Sequence, residues 1–175
     1  MARINGVDVD RMQQTVETFT QNPQAAHKTN QVTGVYDPET GMFTGQIVLD
    51  NGRTFTLQAD HPPFLGGEGR APGALHYCLM GFAACYVGTL VAVAAGEGVH
   101  LGEVRVHIEN DINFRPVLGI ADEPTVEQVR IRVEVSTGVD AQTLQRIKEK
   151  ADRQCPGMYC LTQPIPVTTQ VVAGR

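Results

Sequence analysis

Four cysteines, Cys78, Cys85, Cys155 and Cys160, carry most of the chemistry this sequence offers. Cys85 lies in Phe82-Ala83-Ala84-Cys85-Tyr86, in the middle of a long apolar stretch. A free cysteine there is either a small core residue or a reactive thiol. Gly81, Ala83, Ala84 and Gly88 around it leave room for another backbone or side chain to come close. Cys155 ends an amphipathic stretch and is followed by Pro156-Gly157. The negative end of a helix dipole does not lower a thiol pKa, so Cys155 suits a resolving thiol better than a primary nucleophile. Cys78 and Cys85 share a helix face but stand about 10.5 Å apart along the axis, too far for a disulfide. A zinc site from all four is conceivable, but their spacings do not match the usual short ligand pairs. Cys78 and Cys160 read as packing residues or, at most, spare redox thiols.

The elements that must position these thiols follow from periodicity. Residues 7–21 suit a short helix that Asn22-Pro23 would end, because a residue before proline avoids the α region. Residues 23–30 read as a polar linker. Three strand-like runs follow at 31–36, 42–49 and 53–59. The first two are separated by Asp37-Pro38-Glu39-Thr40-Gly41 and the last two by Asp50-Asn51-Gly52, both turn signals that predict an antiparallel meander. A Gly-rich loop spans 64–72. An apolar helix over about 73–95 follows, closed by Gly96-Glu97-Gly98. Val104, Val106 and Ile108 alternate with polar residues, as do Val129, Ile131, Val133 and Val135, which predicts sheets covered on one face. Residues 114–125 read as a loop. Asp140 is a good N-cap for a helix whose apolar face runs through Leu144, Ile147, Ala151 and Cys155, with Pro156-Gly157 closing it. Residues 165–172 suit a final strand. The order is α+β.

Composition bounds the partners. The chain has 175 residues, 42% of them hydrophobic, enough for one domain with a real core. A net charge of −5 without a Lys/Arg cluster makes nucleic acid a poor partner. The opening residues MARINGVDVD lack a basic region followed by an apolar core, so no signal peptide is expected and a cytoplasmic location is. Residues 71–96 carry no Asp, Glu, Lys or Arg and are long enough to span a bilayer. The run is unique, rich in Ala and Gly, and set between patterned strands, so we expect a buried central helix and no membrane. A single half-exposed sheet covers only part of a helix that is apolar on every side. A second subunit would supply the rest, which predicts a homodimer.

An apolar helix containing Ala83-Ala84-Cys85, preceded by a Gly-rich loop with a proline, and a later helix ending in Cys155-Pro156, resembles the OsmC/Ohr family. The resemblance covers roughly residues 31–172. The domain it implies is 31–175, with 1–30 as an N-terminal extension. The implied fold is an intertwined homodimer in which antiparallel sheets from both subunits wrap two long central helices. The implied activity, an antioxidant and stress-response one, is thiol-dependent reduction of organic hydroperoxides. Cys85 would be the peroxidatic thiol and Cys155 the resolving thiol. Attack on the O–O bond would give a sulfenic acid at Cys85, which condenses with Cys155, and an external dithiol would reduce the resulting disulfide. No metal or organic cofactor is implied.

The sequence departs from the peroxidase members of that family. No acidic residue stands nine or ten positions before Cys85, where His76 and Leu75 fall, and the first strand supplies no arginine. Thiolate formation needs a cation or a hydrogen-bond donor nearby. Candidate substitutes are His76, Arg70 and Arg115. His76, nine residues before Cys85, lies about 180° around a regular helix from it. It better suits a histidine hydrogen-bonded near a helix start, as Arg70 better suits a plain loop cation. Phe64 and Phe82 are candidates to line a pocket for an apolar peroxide. In an alternative reading, peroxidase chemistry is absent, the protein binds a small apolar ligand, and the thiols are structural or only stress-reactive.

Overall fold

The computed structural model describes residues 3–174. The first two residues of the expected N-terminal extension, and Arg175, lie outside the described residues. The described chain separates into two compact units, one made of residues 3 and 8–81 and the other of residues 4–7 and 82–174.

Two-residue strands, β1 (Arg3–Ile4) and β2 (Val7–Asp8), open the described chain as a hairpin. Asn5 and Gly6 turn it with φ of 54° and 81°, the positive pair that a tight right-twisted hairpin demands. The Asn5 amide clamps the second unit, donating to Val99 O at 2.8 Å and accepting from Leu101 N at 2.7 Å.

In the first unit, Asp8 caps α1 (Val9–Gln21) by accepting the Arg11 amide at 3.0 Å. Asn22 ends α1 as the Asn-Pro step predicts, and a 3-10 turn, Pro23–Ala26, follows. Strands β3 (Thr33–Asp37), β4 (Met42–Val48) and β5 (Thr54–Ala59) form the expected meander. Asp37 holds the first turn through the Glu39 amide (2.9 Å) and the Thr40 hydroxyl (2.7 Å). The register puts Tyr36, Phe43, Ile47, Phe55 and Leu57 on one face. The Phe43 ring lies across Gly34, where an added methyl group would come within 2.3 Å of it.

The second unit holds the core. Helix α2 (Ala74–Gly96) starts in the first unit and continues into the second, where Phe82, Ala83, Tyr86, Leu90, Ala94 and Ala95 are buried. Strands β6 (Val104–Ile112) and β7 (Val126–Val135) pair antiparallel, with Val106 opposite Val133 and Ile108 opposite Ile131. Ile108, Ile131 and Val133 pack on the core, while Glu109 and Arg130 pair on the outer face. This is the one-sided burial that period-two alternation implies. Helix α4 (Ala141–Gln154) is capped by Asp140, and Ile147, Ala151 and Cys155 are buried as the spacing predicts.

Three sequence expectations fail locally. The expected loop at 114–125 begins with a one-turn helix, α3 (Phe114–Val117), because Asn113 accepts the Arg115 amide at 3.0 Å and caps it. Pro156-Gly157 ends α4 but does not end the helical path: α5 (Pro156–Thr162) begins there. Proline at the first helical position loses no hydrogen bond, since that amide has no helical partner, and its φ is already helical. Residues 165–172 form no strand and are exposed, for a strand needs a neighbouring edge to pair with.

Candidate functional site

Cys155 occupies the junction between α4 and α5. Its amide donates to Ala151 O at 2.9 Å, ending α4. Its sulfur accepts the Met158 amide at 3.4 Å, capping α5. Sequence reasoning placed Cys155 only at a helix C-terminus and missed this second role. Proline at 156 was the available signal, since it starts helices as readily as it follows them. The Cys155 sulfur thus has a backbone donor as well as its contact with Cys85.

The structure brings Cys85 and Cys155 together. The Cys155 thiol donates to Cys85 Sγ at 3.6 Å. The two sulfurs differ in access: Cys155 is 1% exposed, while Cys85 is half-buried. Gly157 makes the meeting possible. A methyl group there would lie 2.9 Å from Phe82 Cδ2 and 3.5 Å from Cys85 Sγ. Burial pushes the Cys85 thiol above its ordinary value. The Gly157 amide, donating to it, works in the opposite direction, and the Cys155 and Cys160 thiols push it up again.

One side-chain link holds α2 against α4 near this pair, and a second residue on α4 supports it. The Tyr86 hydroxyl donates to Asp152 Oδ1 at 2.7 Å, and Lys148 Nζ reaches Asp152 Oδ2 at 2.6 Å. Burial pushes the Tyr86 phenol well up, and the Asp152 carboxylate adds to this. Burial would raise the Asp152 carboxyl, but Lys148 and Tyr86 hold it below its ordinary value. Glu97, just past α2, accepts from Arg146 at 2.8 Å and from Lys150 at 2.5 Å. Tyr86, Leu90, Ile131, Leu144 and Met158 help line an apolar cleft of about 440 Å³, with Lys148 and Asp152 also in its wall. Phe82, Met158 and Cys160 line a second cleft of about 470 Å³.

The other candidates have separate partners. Arg70 donates through its backbone amide (3.0 Å) and Nε (3.3 Å) to Asp60, whose carboxylate is buried, and its guanidinium also reaches Glu68 and the Thr40 carbonyl. The Arg70 amide, against the opposing effect of burial, holds the Asp60 carboxyl below its ordinary value. The pair ties the Gly-rich loop to the end of β5, an anchor that sequence reasoning missed. His76 sits in the first turn of α2, its amide donating to Gly73 O at 2.9 Å. Arg115 is taken up by Glu123 at 2.7 Å. Phe82 is buried edge-on to Tyr86 beside the thiols, whereas Phe64 sits exposed in a 3-10 turn, Pro63–Leu65. Cys78 and Cys160 are exposed and do not pack into the core. Among the described residues, no group of three or more His, Cys, Asp or Glu side chains is arranged to hold a metal ion.

Antiparallel sheets, a long apolar helix and two thiols in contact between helices define a thiol-bearing α+β domain. The chain belongs to the OsmC-like protein family, whose sequence profile matches residues 67–170 and so covers α2 and both thiols. Solved structures share the fold. An OsmC-like protein from Mycoplasma pneumoniae superposes with a TM-score of 0.62 at 17% identity, over 77% of this chain and 87% of that one. An organic hydroperoxide resistance protein, OsmC, from Legionella pneumophila gives 0.56 at 20% identity, over 78% and 91%. An organic hydroperoxide resistance protein from Elizabethkingia anophelis with bound thiocyanate gives 0.58 at 20% identity, over 78% and 90%. No curated protein sequence matches the chain significantly.

Proposed function

We propose that this protein reduces organic hydroperoxides with Cys85 as the attacking thiol and Cys155 as the resolving thiol. The observation that carries this reading is the 3.6 Å contact between two unbridged sulfurs that stand 70 residues apart in sequence. Their unequal exposure fits the roles: the accessible Cys85 meets the peroxide, and the buried Cys155 waits behind it. The Cys85 thiolate attacks one peroxide oxygen, the O–O bond breaks, and the alcohol leaves with a proton. Cys85 is left as a sulfenic acid. Cys155 then attacks that sulfur, water leaves, and a disulfide forms. An external dithiol reverses the oxidation by exchange. An apolar substrate fits the lining beside the pair, Phe82 and Met158. Hydroperoxide resistance in the Legionella and Elizabethkingia relatives supports the substrate class.

The site works within a homodimer in a cytoplasmic setting. A third of the most apolar window of α2 is buried within one chain, and Leu75 and Met80 on it are exposed, so a second copy has apolar surface to cover. The test of the activity is cumene hydroperoxide consumption with dithiothreitol as donor. Wild type turns over, and Cys85→Ser does not. A wild-type protein that consumes no peroxide with any dithiol overturns the reading.

A second reading has its own observation. Burial raises the Cys85 thiol, and its chain neighbour Tyr86 helps line a mostly apolar cleft of about 440 Å³. A protein that holds a small apolar ligand, with thiols that react only under stress, fits those two facts. Alkylation kinetics separate the readings: an inert Cys85 that a bound apolar probe protects favours the binder.

A further inference from the structure

Cys85 has a third thiol near it. Gly157 faces Cys85 Sγ so closely that a methyl group there would stand 3.5 Å from the sulfur. Cys160 follows Gly157 by three residues on α5, so it shares that helix face, about 4.5 Å further along the axis. Phe82, which the Gly157 methyl would strike at 2.9 Å, lines the same cleft as Cys160. Access runs outward through the three sulfurs: Cys155 is buried, Cys85 half-buried and Cys160 exposed. A disulfide between Cys85 and Cys155 would therefore offer an external reductant only one half-buried sulfur, where Cys160 would offer an exposed one.

We propose that Cys160 is the outlet of this site, a relay thiol that takes over the disulfide from Cys155 and presents it to the external dithiol. The proposal rests on the Cys85–Cys155 disulfide of the preceding section and adds how that disulfide is discharged. The Cys160 thiolate attacks the Cys85 sulfur. The bond from Cys85 to Cys155 breaks, Cys155 leaves as a thiolate and takes up the proton that Cys160 gave up, and no net oxidation occurs. On leaving, Cys155 Sγ recovers the Met158 amide, whose hydrogen bond it accepts in the reduced protein. Drawing Cys155 Sγ into a disulfide also costs α5 its cap. A helix of seven residues is marginal by itself, so Cys160 gains freedom to move when the first disulfide forms. The external dithiol then attacks the exposed Cys160 sulfur, Cys85 leaves as a thiolate, and the reductant's second thiol releases Cys160. The reductant ends as a disulfide and the protein regains three thiols.

The test oxidises the full chain with diamide, which forms disulfides without any peroxide, then alkylates free thiols and maps the linked peptides. Cys155→Ser is expected to give a Cys85–Cys160 disulfide. Oxidised Cys160→Ser is expected to regain its thiols from dithiothreitol more slowly than wild type, on the order of tenfold. Cys78→Ser, which alters an exposed thiol elsewhere on α2, is expected to match wild type. The relay is overturned if Cys155→Ser leaves Cys85 and Cys160 both open to alkylation, or if Cys160→Ser is reduced at the wild-type rate. Because diamide replaces the substrate, a chain inert to hydroperoxides would sink the proposed activity while this test stays readable.

Discussion

Gly157 is the residue on which the thiol contact turns. Helix propensity alone would reward Gly157→Ala by up to about 1 kcal/mol, but a methyl group 2.9 Å from a buried ring costs about 1–3 kcal/mol in overpacking. The steric cost wins. We expect Gly157→Ala to lower unfolding free energy by about 1 kcal/mol and to slow disulfide formation, both measurable by denaturant titration and thiol mapping. An unchanged stability would mean that α5 gives way freely. The pH dependence of Cys85 follows from its direction of shift. Burial raises its thiol above the ordinary value, and the thiolate is the nucleophile. Single-turnover oxidation of Cys85 should therefore keep accelerating as pH rises past the ordinary thiol range, with no plateau near neutrality. A plateau below pH 7 would instead show a cation that activates Cys85.

At the scale of elements, α2 and α4 are held in register by polar links at two levels, Tyr86–Asp152 near the thiols and Glu97 with Arg146 and Lys150 at the far end. Glu97 is held below its ordinary carboxyl value by hydrogen bonds from Lys150 and then Arg146. A depressed carboxyl contributes stability above its unfolded value of about 4.3 and loses it as pH falls through the folded value. Glu97→Gln should thus cost about 1 kcal/mol at pH 7, a figure limited by partners that are half exposed. The difference from wild type should be lost in acid, once the pH is below the depressed folded value. Urea unfolding at both pH values checks this, and a penalty that persists in acid would point to packing instead of charge. The strands, α2 and α4 were legible because their periods and caps are local. Helix α5 was harder to read, since Pro156 signals a helix end as well as a start and its cap is a cysteine sulfur, outside the usual cap residues.

At the scale of the molecule, the proposed dimer makes a direct prediction. Met80 is 58% exposed in the single chain, so Met80→Glu should be harmless to a monomer. If a second copy covers α2, the same change buries an unpaired carboxylate and should dissociate the dimer, read by sedimentation velocity. Wild type that sediments as a monomer would overturn the proposal. The apolar face of β3–β5, with Tyr36, Phe43 and Phe55 exposed, is a second surface of the same kind. By itself the sequence determined the α+β order, the meander, the apolar helix carrying Cys85, and the α4 face that ends in Cys155. Each follows from hydrogen bonding and hydrophobic period within some twenty neighbouring residues. Only the tertiary structure decided which sulfurs meet, that Cys155 caps a second helix, and that Arg70 and Arg115 are already taken up by carboxylates. Those outcomes depend on how elements distant along the chain pack, and no local pattern encodes a contact across 70 residues.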